Sequence, residues 1–418
     1  MDDTAFAGGK ALREAGRFAE AIDVLQQLLA HQPAHLEARR WLADSLLAQG
    51  NAAIRSQPCE AEHCYRQAIY TWPGFFEAIS NLGESLVEQL RLPEAQAMFR
   101  TALTLRPADA NTGFAYAVAL LLSGNLAEGW RHFEARRSMA AWHYDRRHDL
   151  PQWQEGMSVQ GRHLLLMAEQ GIGDVIQFAR YAPVLAGNGI AVTLEVPATL
   201  LPLFRSMPGP RAVVTPDQPA RGCDLACPLM SLPLLCGTAL DTIPPALPQL
   251  RIPPERIGVW HDWLGSFMGR RIGLVCSGDP RNPTGAVRSV PFAALAPLFS
   301  LPSHQFVLLQ IDIRDADRIG IETAPNLLRP GGLLRDFADT AAIVSQLDLV
   351  IAADTGVAHL AATLGRPVWL LLPYRPDWRW MLHRHDSPWY PAMTLYRQPS
   401  RGAWDDVVEA VRRDLAAA

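Results

Sequence analysis

The sequence predicts an α/β protein with an all-α N-terminal part, and three observations carry that reading. Helical segments that each run into a proline recur over the first third of the chain. From Gly161 onward, strand-like apolar runs alternate with helical stretches, the pattern of a parallel sheet. That alternation stops at Thr242 to Pro254, the densest proline stretch of the chain, and restarts at Arg270. Two sheets joined by a stiff segment are therefore expected, as two Rossmann-like domains facing a cleft. At 418 residues the chain has room for two to four domains.

The repeats come first in the chain. The segments Phe18–Ile22, Glu60–Ile69 and Pro93–Leu103 each lead to a proline, at Pro33, Pro73 and Pro107. The second and third prolines are 34 residues apart, the first and second 40, and the excess is assigned to a loop insertion at Asn51 to Pro58. Small and large apolar residues alternate at helical spacing in Glu37–Ala43 and Glu77–Gly83, the mark of first helices. Helix pairs of this kind cannot bury their apolar faces alone, so they stack into a superhelix. The final helix is expected over Leu126 to Arg137, its Trp130 and Phe133 packing against whatever follows. In proline spacing and small-residue pattern, residues 1–138 resemble a tetratricopeptide array of three to four repeats. Residues 139–158 show no period and read as a linker.

The first α/β domain is expected over 159–255. Gly161–Met167 reads as a buried strand, Val175–Leu185 as a helix, Ala191–Val196 as a strand and Leu200–Ser206 as a helix, with short strands at Arg211–Val214 and Cys223–Cys227. The second is expected over 256–418. It offers strands at Arg271–Cys276, Gln305–Gln310, Leu347–Ala352 and Pro367–Leu372, a helix at Pro291–Phe299, and a last helix at Ala403–Leu415 that fits either domain.

Composition narrows the function classes. Hydrophobic residues make up 49% and charged residues 19%, ample for buried cores. The 38 basic residues are one lysine, Lys10, and 37 arginines, against 42 carboxylates, for a net charge of −4. No global basic field is present to attract nucleic acid. Six cysteines without paired Cys-x-x-Cys spacing read as reduced structural thiols. With no leader-like N-terminus and no apolar run near 18 residues, no transmembrane segment is expected and the cytoplasm is the expected compartment.

Two strand-to-helix turns carry candidate chemistry. In the first, Gly171 and Gly173 permit close backbone approach and Asp174 stands at a helix start, where Asp is also a favoured cap. A third glycine is missing, so a dinucleotide fingerprint is only weakly supported. In the second, Asp354 and Thr355 fall at the turn, the amides of Thr355, Gly356 and Val357 head a helix, and His359 follows one turn on.

The run Asp354–Pro367 resembles the signature of the heptosyltransferase-like glycosyltransferases, glycosyltransferase family nine. Together with Gly171–Asp174, Cys276–Pro280, Asp336–Thr340, Pro376–Trp380 and Ser387–Pro391, it resembles the bacterial tetratricopeptide-fused branch over about residues 160 to 410. The resemblance implies a GT-B-like pair of domains, acceptor mostly on the first and nucleotide sugar mostly on the second. It implies Asp174 as general base of an inverting transfer, taking the proton of the attacking hydroxyl. Donor-binding residues are then Gly171, Gly173, Ser277, Arg288, Gln310, Asp354, Thr355, Gly356, Val357 and His359, with no metal and no cofactor beyond the nucleotide-diphosphate sugar as co-substrate.

The chain departs from the pattern where related sequences carry lysines. It has Arg281–Pro291 in place of a basic or asparagine-rich loop, and Ile311 after Gln310; if those lysines serve the phosphates, Arg281 or Arg288 must substitute, or activity is reduced. His383–Asp386 is read as an exposed loop rather than a metal cluster, because adjacent loop positions seldom converge on one ion. Trp378, Trp380, Trp389 and Tyr390 are expected to pack in the core. The leading expectation is an inverting, metal-independent glycosyltransferase whose acceptor is a polypeptide held by the repeats. A lipopolysaccharide or other glycan acceptor, and a non-catalytic scaffold with a degenerate transferase body, are the alternatives.

Overall fold

The computed structural model describes residues 2–139, 149–218, 220–246, 250–279 and 285–417. The chain divides into two compact units, Met1–Tyr144 and Asp145–Ala418. Residues 140–148 of the expected linker and the departing loop at Arg281 to Thr284 lie outside the described residues.

The first unit is all helix: α1 (Asp2–Glu14), α2 (Phe18–His31), α3 (Leu36–Ala53), α4 (Pro58–Thr71), α5 (Phe76–Glu88), α6 (Leu92–Leu105), α7 (Ala110–Leu122) and α8 (Leu126–Phe133). Each helix packs chiefly on its neighbours in sequence, with lighter contacts joining α1, α3, α5 and α7, the stacking expected of a helix-pair array. Pro33, Pro73 and Pro107 each follow a helix end by two residues, where a missing N–H and a fixed φ stop the helix. The six-residue excess is not a loop: α3 runs for 18 residues against 13 in α5, absorbing the start of the insertion as helix. Close approach within pairs depends on absent side chains. A Cβ on Gly50 would sit 2.5 Å from the Tyr65 ring, and one on Gly83 2.6 Å from the Phe99 ring. Lys10 lies in α1, within 3.9 Å of Glu14 and over the Trp41 ring.

α8 ends at Phe133, short of Arg137, and a 3-10 turn over Glu134–Ser138 follows. Its aromatic residues pack on α7 and on the 3-10 turn. Phe133 meets Phe114 of α7 at 5.3 Å and Trp130 edge-on at 5.9 Å, and the buried Arg136 of the 3-10 turn lies over the Phe133 ring.

The second unit holds two parallel sheets. The first has β1 (His163–Met167), β2 (Ala191–Glu195), β3 (Ala212–Val214) and β4 (Leu225–Pro228) in the order β3-β2-β1-β4. The helix expected over Val175–Leu185 is two helices, α9 (Ile172–Phe178) and α10 (Tyr181–Gly187). Pro183 explains the break, since its ring excludes helical continuation past Ala179. Short helices α11 (Leu201–Phe204) and α12 (Leu232–Leu235) complete this half, and α13 (Pro254–Leu264) leads into the next.

The second sheet has β5 (Arg270–Val275), β6 (His304–Leu308), β7 (Leu327–Leu328), β8 (Leu349–Ala353), β9 (Val368–Leu372) and β10 (Met393–Arg397) in the order β10-β9-β8-β5-β6-β7. This is the doubly wound order, with its switch point between β5 and β8. Around it run α14 (Gly285–Arg288), α15 (Asp315–Thr323), α16 (Phe337–Val344), α17 (Gly356–Thr363) and α18 (Trp404–Ala417). The segment expected as a helix over Pro291–Phe299 is a 3-10 helix with Pro297 inside it, which cannot donate an α-helical bond. α18 packs on the second sheet's half, where Trp404, Val407, Val408, Val411 and Leu415 join Ile272, Leu274 and Phe306 in one core. Among the described residues, no helix is long and apolar enough to cross a membrane.

Candidate active site

Both candidate turns open at the carboxyl ends of strands beside the switch points, β1 in the first sheet and β8 in the second. The two helices that follow meet at their starts. A Cβ on Gly173 would lie 2.8 Å from His359 Cδ2, and one on Gly356 3.2 Å from Ile172 Cγ2 and 3.4 Å from the Gly173 nitrogen. Glycine at both positions thus lets the first turns of α9 and α17 touch across the sheets.

On the first sheet's side, Asp174 occupies the third position of α9. Its Oδ2 accepts from the Gly171 N–H at 2.8 Å, so the capping role is real and the Gly171 amide is already engaged. Its Oδ1 accepts from Nη2 of Arg379, which arrives from the segment after β9. The carboxylate remains 21% exposed.

On the second sheet's side, Asp354 is buried. Its Oδ2 accepts from Trp380 Nε1 at 2.9 Å and its Oδ1 lies 3.6 Å from His359 Nε2. Burial alone would raise its pKa, but the neighbouring His359 imidazole, the Arg288 charge and the Trp380 indole hold it below the usual carboxylate range. His359 places Nδ1 2.9 Å from the Tyr390 hydroxyl and is itself buried. The aromatic segment, expected as core, is core: Trp378, Trp380, Trp389 and Tyr390 are all buried, yet two of them also fix the polar groups of the α17 turn.

Thr355 starts α17 without capping it. Its Oγ1 is buried and finds no partner among the described residues, and the first-turn amides carry the partial positive charge of a helix start. Arg288 lies beside this turn. A Cβ on Gly278 would be 3.3 Å from Arg288 Nη2 and 3.6 Å from Thr355 Cγ2, and Arg288 Nε is buried without a partner among the described residues. Unsatisfied cationic and hydroxyl donors at a helix N-terminus form an anion cradle. Val357 is half-buried in the same first turn.

Ser277 and Gln310 are brought together, but chiefly on each other. Gln310 Nε2 donates to Ser277 Oγ at 3.1 Å, and its Oε1 accepts from the Cys276 and Ser277 amides at 2.8 and 3.2 Å. Gln310 therefore shapes the loop after β5 rather than presenting a free amide. Among the described residues no cluster of three or more His, Cys, Asp or Glu side chains has the geometry to hold a metal ion.

Arg379 is the functional-site residue that the sequence reading passed over. It is 7% exposed, donates to Asp174, to Asp377 Oδ1 at 2.9 Å and to Gln177 Oε1, and lies over the Trp378 ring at 4.3 Å. Burial pulls its pKa down, but Asp377, Asp174 and Asp354 outweigh it and raise the pKa. The available signal was one arginine between two tryptophans directly after an aspartate.

Comparison with known proteins agrees with both halves of this description. The tetratricopeptide repeat model matches residues 6–53 and 80–138, and the glycosyltransferase family 9 (heptosyltransferase) model matches residues 335–377, which span Asp354 to His359. Protein FlbA of Caulobacter vibrioides is 28% identical over 97% of this chain and 72% of its own length. Among solved structures, the ADP-heptose lps heptosyltransferase II of E. coli is 15% identical, covering 61% of this chain and 98% of its own, with a TM-score of 0.44. A family 9 glycosyl transferase from Veillonella parvula is 14% identical, covering 62% and 98%, with a TM-score of 0.48. The chain thus matches the tetratricopeptide repeat over residues 6–53 and 80–138 and, behind them, glycosyltransferase family 9 (heptosyltransferase) over residues 335–377.

Proposed function

We propose that this glycosyltransferase is inverting and metal-independent, taking a sugar from a nucleotide-diphosphate donor to a polypeptide acceptor presented by the repeats. The observation that carries the reading is the meeting of α9 and α17. It sets a partly exposed carboxylate, Asp174, beside a helix start with an unpartnered threonine hydroxyl and an arginine whose Nε has no partner among the described residues. The α17 amides, Thr355 and Arg288 neutralise the leaving diphosphate. Asp174 takes the acceptor proton as the hydroxyl attacks the anomeric carbon from the face opposite the leaving group. Arginine replaces lysine as the phosphate cation, as a chain with no lysine after position 10 requires.

The test is incubation of the full chain with a panel of nucleotide sugars and with peptide or lipopolysaccharide acceptors, reading nucleoside diphosphate release and product mass. Sugar on the peptide with inverted anomeric configuration is the expected result. Transfer only to the glycan moves the acceptor assignment, and no transfer or donor hydrolysis with any pair rejects the reading.

A further inference from the structure

One buried charged side chain beside Asp174 is absent from the chemistry just described. Arg379 sits on the second sheet's half and reaches α9 of the first, where it meets both Asp174 and Gln177, one helical turn apart on the same face. Its remaining ion-pair partner, Asp377, lies on its own segment and caps the 3-10 turn Trp378–Trp380 by accepting from the Arg379 amide at 3.1 Å. The guanidinium is therefore aimed before it reaches α9. Aromatic rings flank it, Trp378 at 4.3 Å from its own segment and Phe178 at 5.8 Å from α9.

A buried arginine with three polar partners is costly to assemble, and a salt bridge of this kind is poor value as stability alone. Gln177 adds to the cost. It is fully buried, turns its oxygen to Arg379 and leaves Nε2 without a partner among the described residues. The local arrangement thus gives up an amide hydrogen bond to hold this guanidinium in place. What the arrangement delivers is orientation: with Oδ2 fixed by the Gly171 amide and Oδ1 by Arg379, the Asp174 carboxylate has one plane open to it.

We propose that Arg379 is a positioning residue for Asp174. It holds the carboxylate in the plane needed to receive the acceptor proton, and it does so only while the segment after β9 is docked on α9. The base is thereby assembled by residues of both halves. This rests on the assignment of Asp174 as the base. Each guanidinium nitrogen of Arg379 has a partner: Nε donates to Gln177, Nη1 to Asp377 and Nη2 to Asp174.

The experiment uses the full chain carrying Arg379→Gln, Arg379→Lys, Asp174→Asn or the pair Asp174→Asn/Arg379→Gln. Arg379→Gln is expected to lower kcat by about 100-fold, with donor KM and the Kd for ADP or UDP within about threefold of wild type. Arg379→Lys, which keeps the charge but not the fork, should recover part of that loss. In the Asp174→Asn background the arginine change should cost less than about threefold further. A crystal structure of Arg379→Gln, or of Arg379→Lys should the glutamine variant not fold, should show Asp174 turned away from its present rotamer. Unchanged kcat, an equal loss with and without the Asp174 carboxylate, a loss carried by nucleotide affinity, or an unmoved Asp174 in the crystal each overturns the proposal. Full turnover by Asp174→Asn alone would instead reject the base assignment beneath it.

Discussion

Each aspartate of the site is held by different neighbours, and the difference sorts their roles. Asp354 is buried and satisfied by an indole and an imidazole, so it shapes the α17 turn, whereas Asp174 keeps an exposed edge. Asp354→Ala leaves Trp380 Nε1 and His359 Nε2 facing a cavity and frees the turn. Calorimetry with ADP or UDP should show affinity reduced at least about tenfold while circular dichroism still reports a folded chain, and an unchanged Kd would remove Asp354 from the donor site. Gly173→Ala tests the contact of the two helix starts from the other side. Its new methyl, 2.8 Å from His359 Cδ2 with the Gly356 Cα 3.5 Å away, has little room to yield. A stability loss of about 1–3 kcal/mol in urea titration is expected, together with a fall in turnover.

Among the elements, α16 shows how the site is braced from behind. Asp336 caps its start, and Asp339, fully buried one turn on, accepts from Trp260 Nε1 at 2.9 Å and from Arg256 of α13 and the preceding Arg335. Burial would raise the Asp339 pKa, but the Arg335, Trp260 and Arg256 hydrogen bonds bring it down to about 2. A carboxyl depressed on folding stabilises the fold above its unfolded pKa near 4, and that contribution disappears as pH falls toward 2. The increment is about 2 kcal/mol. Denaturant midpoints measured from pH 5 to pH 2.5 should fall for the wild type and fall less for Asp339→Asn; parallel curves would show that Asp339 does not carry the titration.

The same scale shows what the sequence disclosed. Proline spacing located the helix pairs, and apolar runs located β1, β2, β5, β6, β8 and β9, because buried parallel strands are nearly continuous in Val, Ile and Leu. β7 is two residues long and β10 exposes Thr394, so neither leaves a run to read. The break at Pro183 and the 3-10 geometry at Pro297 were visible as prolines but were overridden by the surrounding apolar period. At the site, Asp174, Asp354 and His359 could be singled out because turns between strand and helix announce themselves locally. Arg379 and Gln177 could not, since their meaning depends on a contact 202 positions apart in the chain.

Across the whole molecule, the division into two compact units makes a thermodynamic prediction. A nucleotide that binds residues of Asp145–Ala418 stabilises that unit by mass action, about 2.7 kcal/mol at a concentration 100 times its Kd, and leaves Met1–Tyr144 unaffected. Scanning calorimetry with saturating ADP or UDP should therefore raise one transition and leave the other in place, and a uniform upward shift would mean the units unfold as one. Lys10, set in α1 beside Glu14 and over Trp41, gives the molecule another asymmetry. Apart from the α-amino group, it is the chain's one primary amine, and it belongs to the unit that does not hold the site. Amine-coupling reagents will therefore graft a dye, a bead or a sensor surface onto the repeats alone, leaving every arginine of the transferase body chemically untouched.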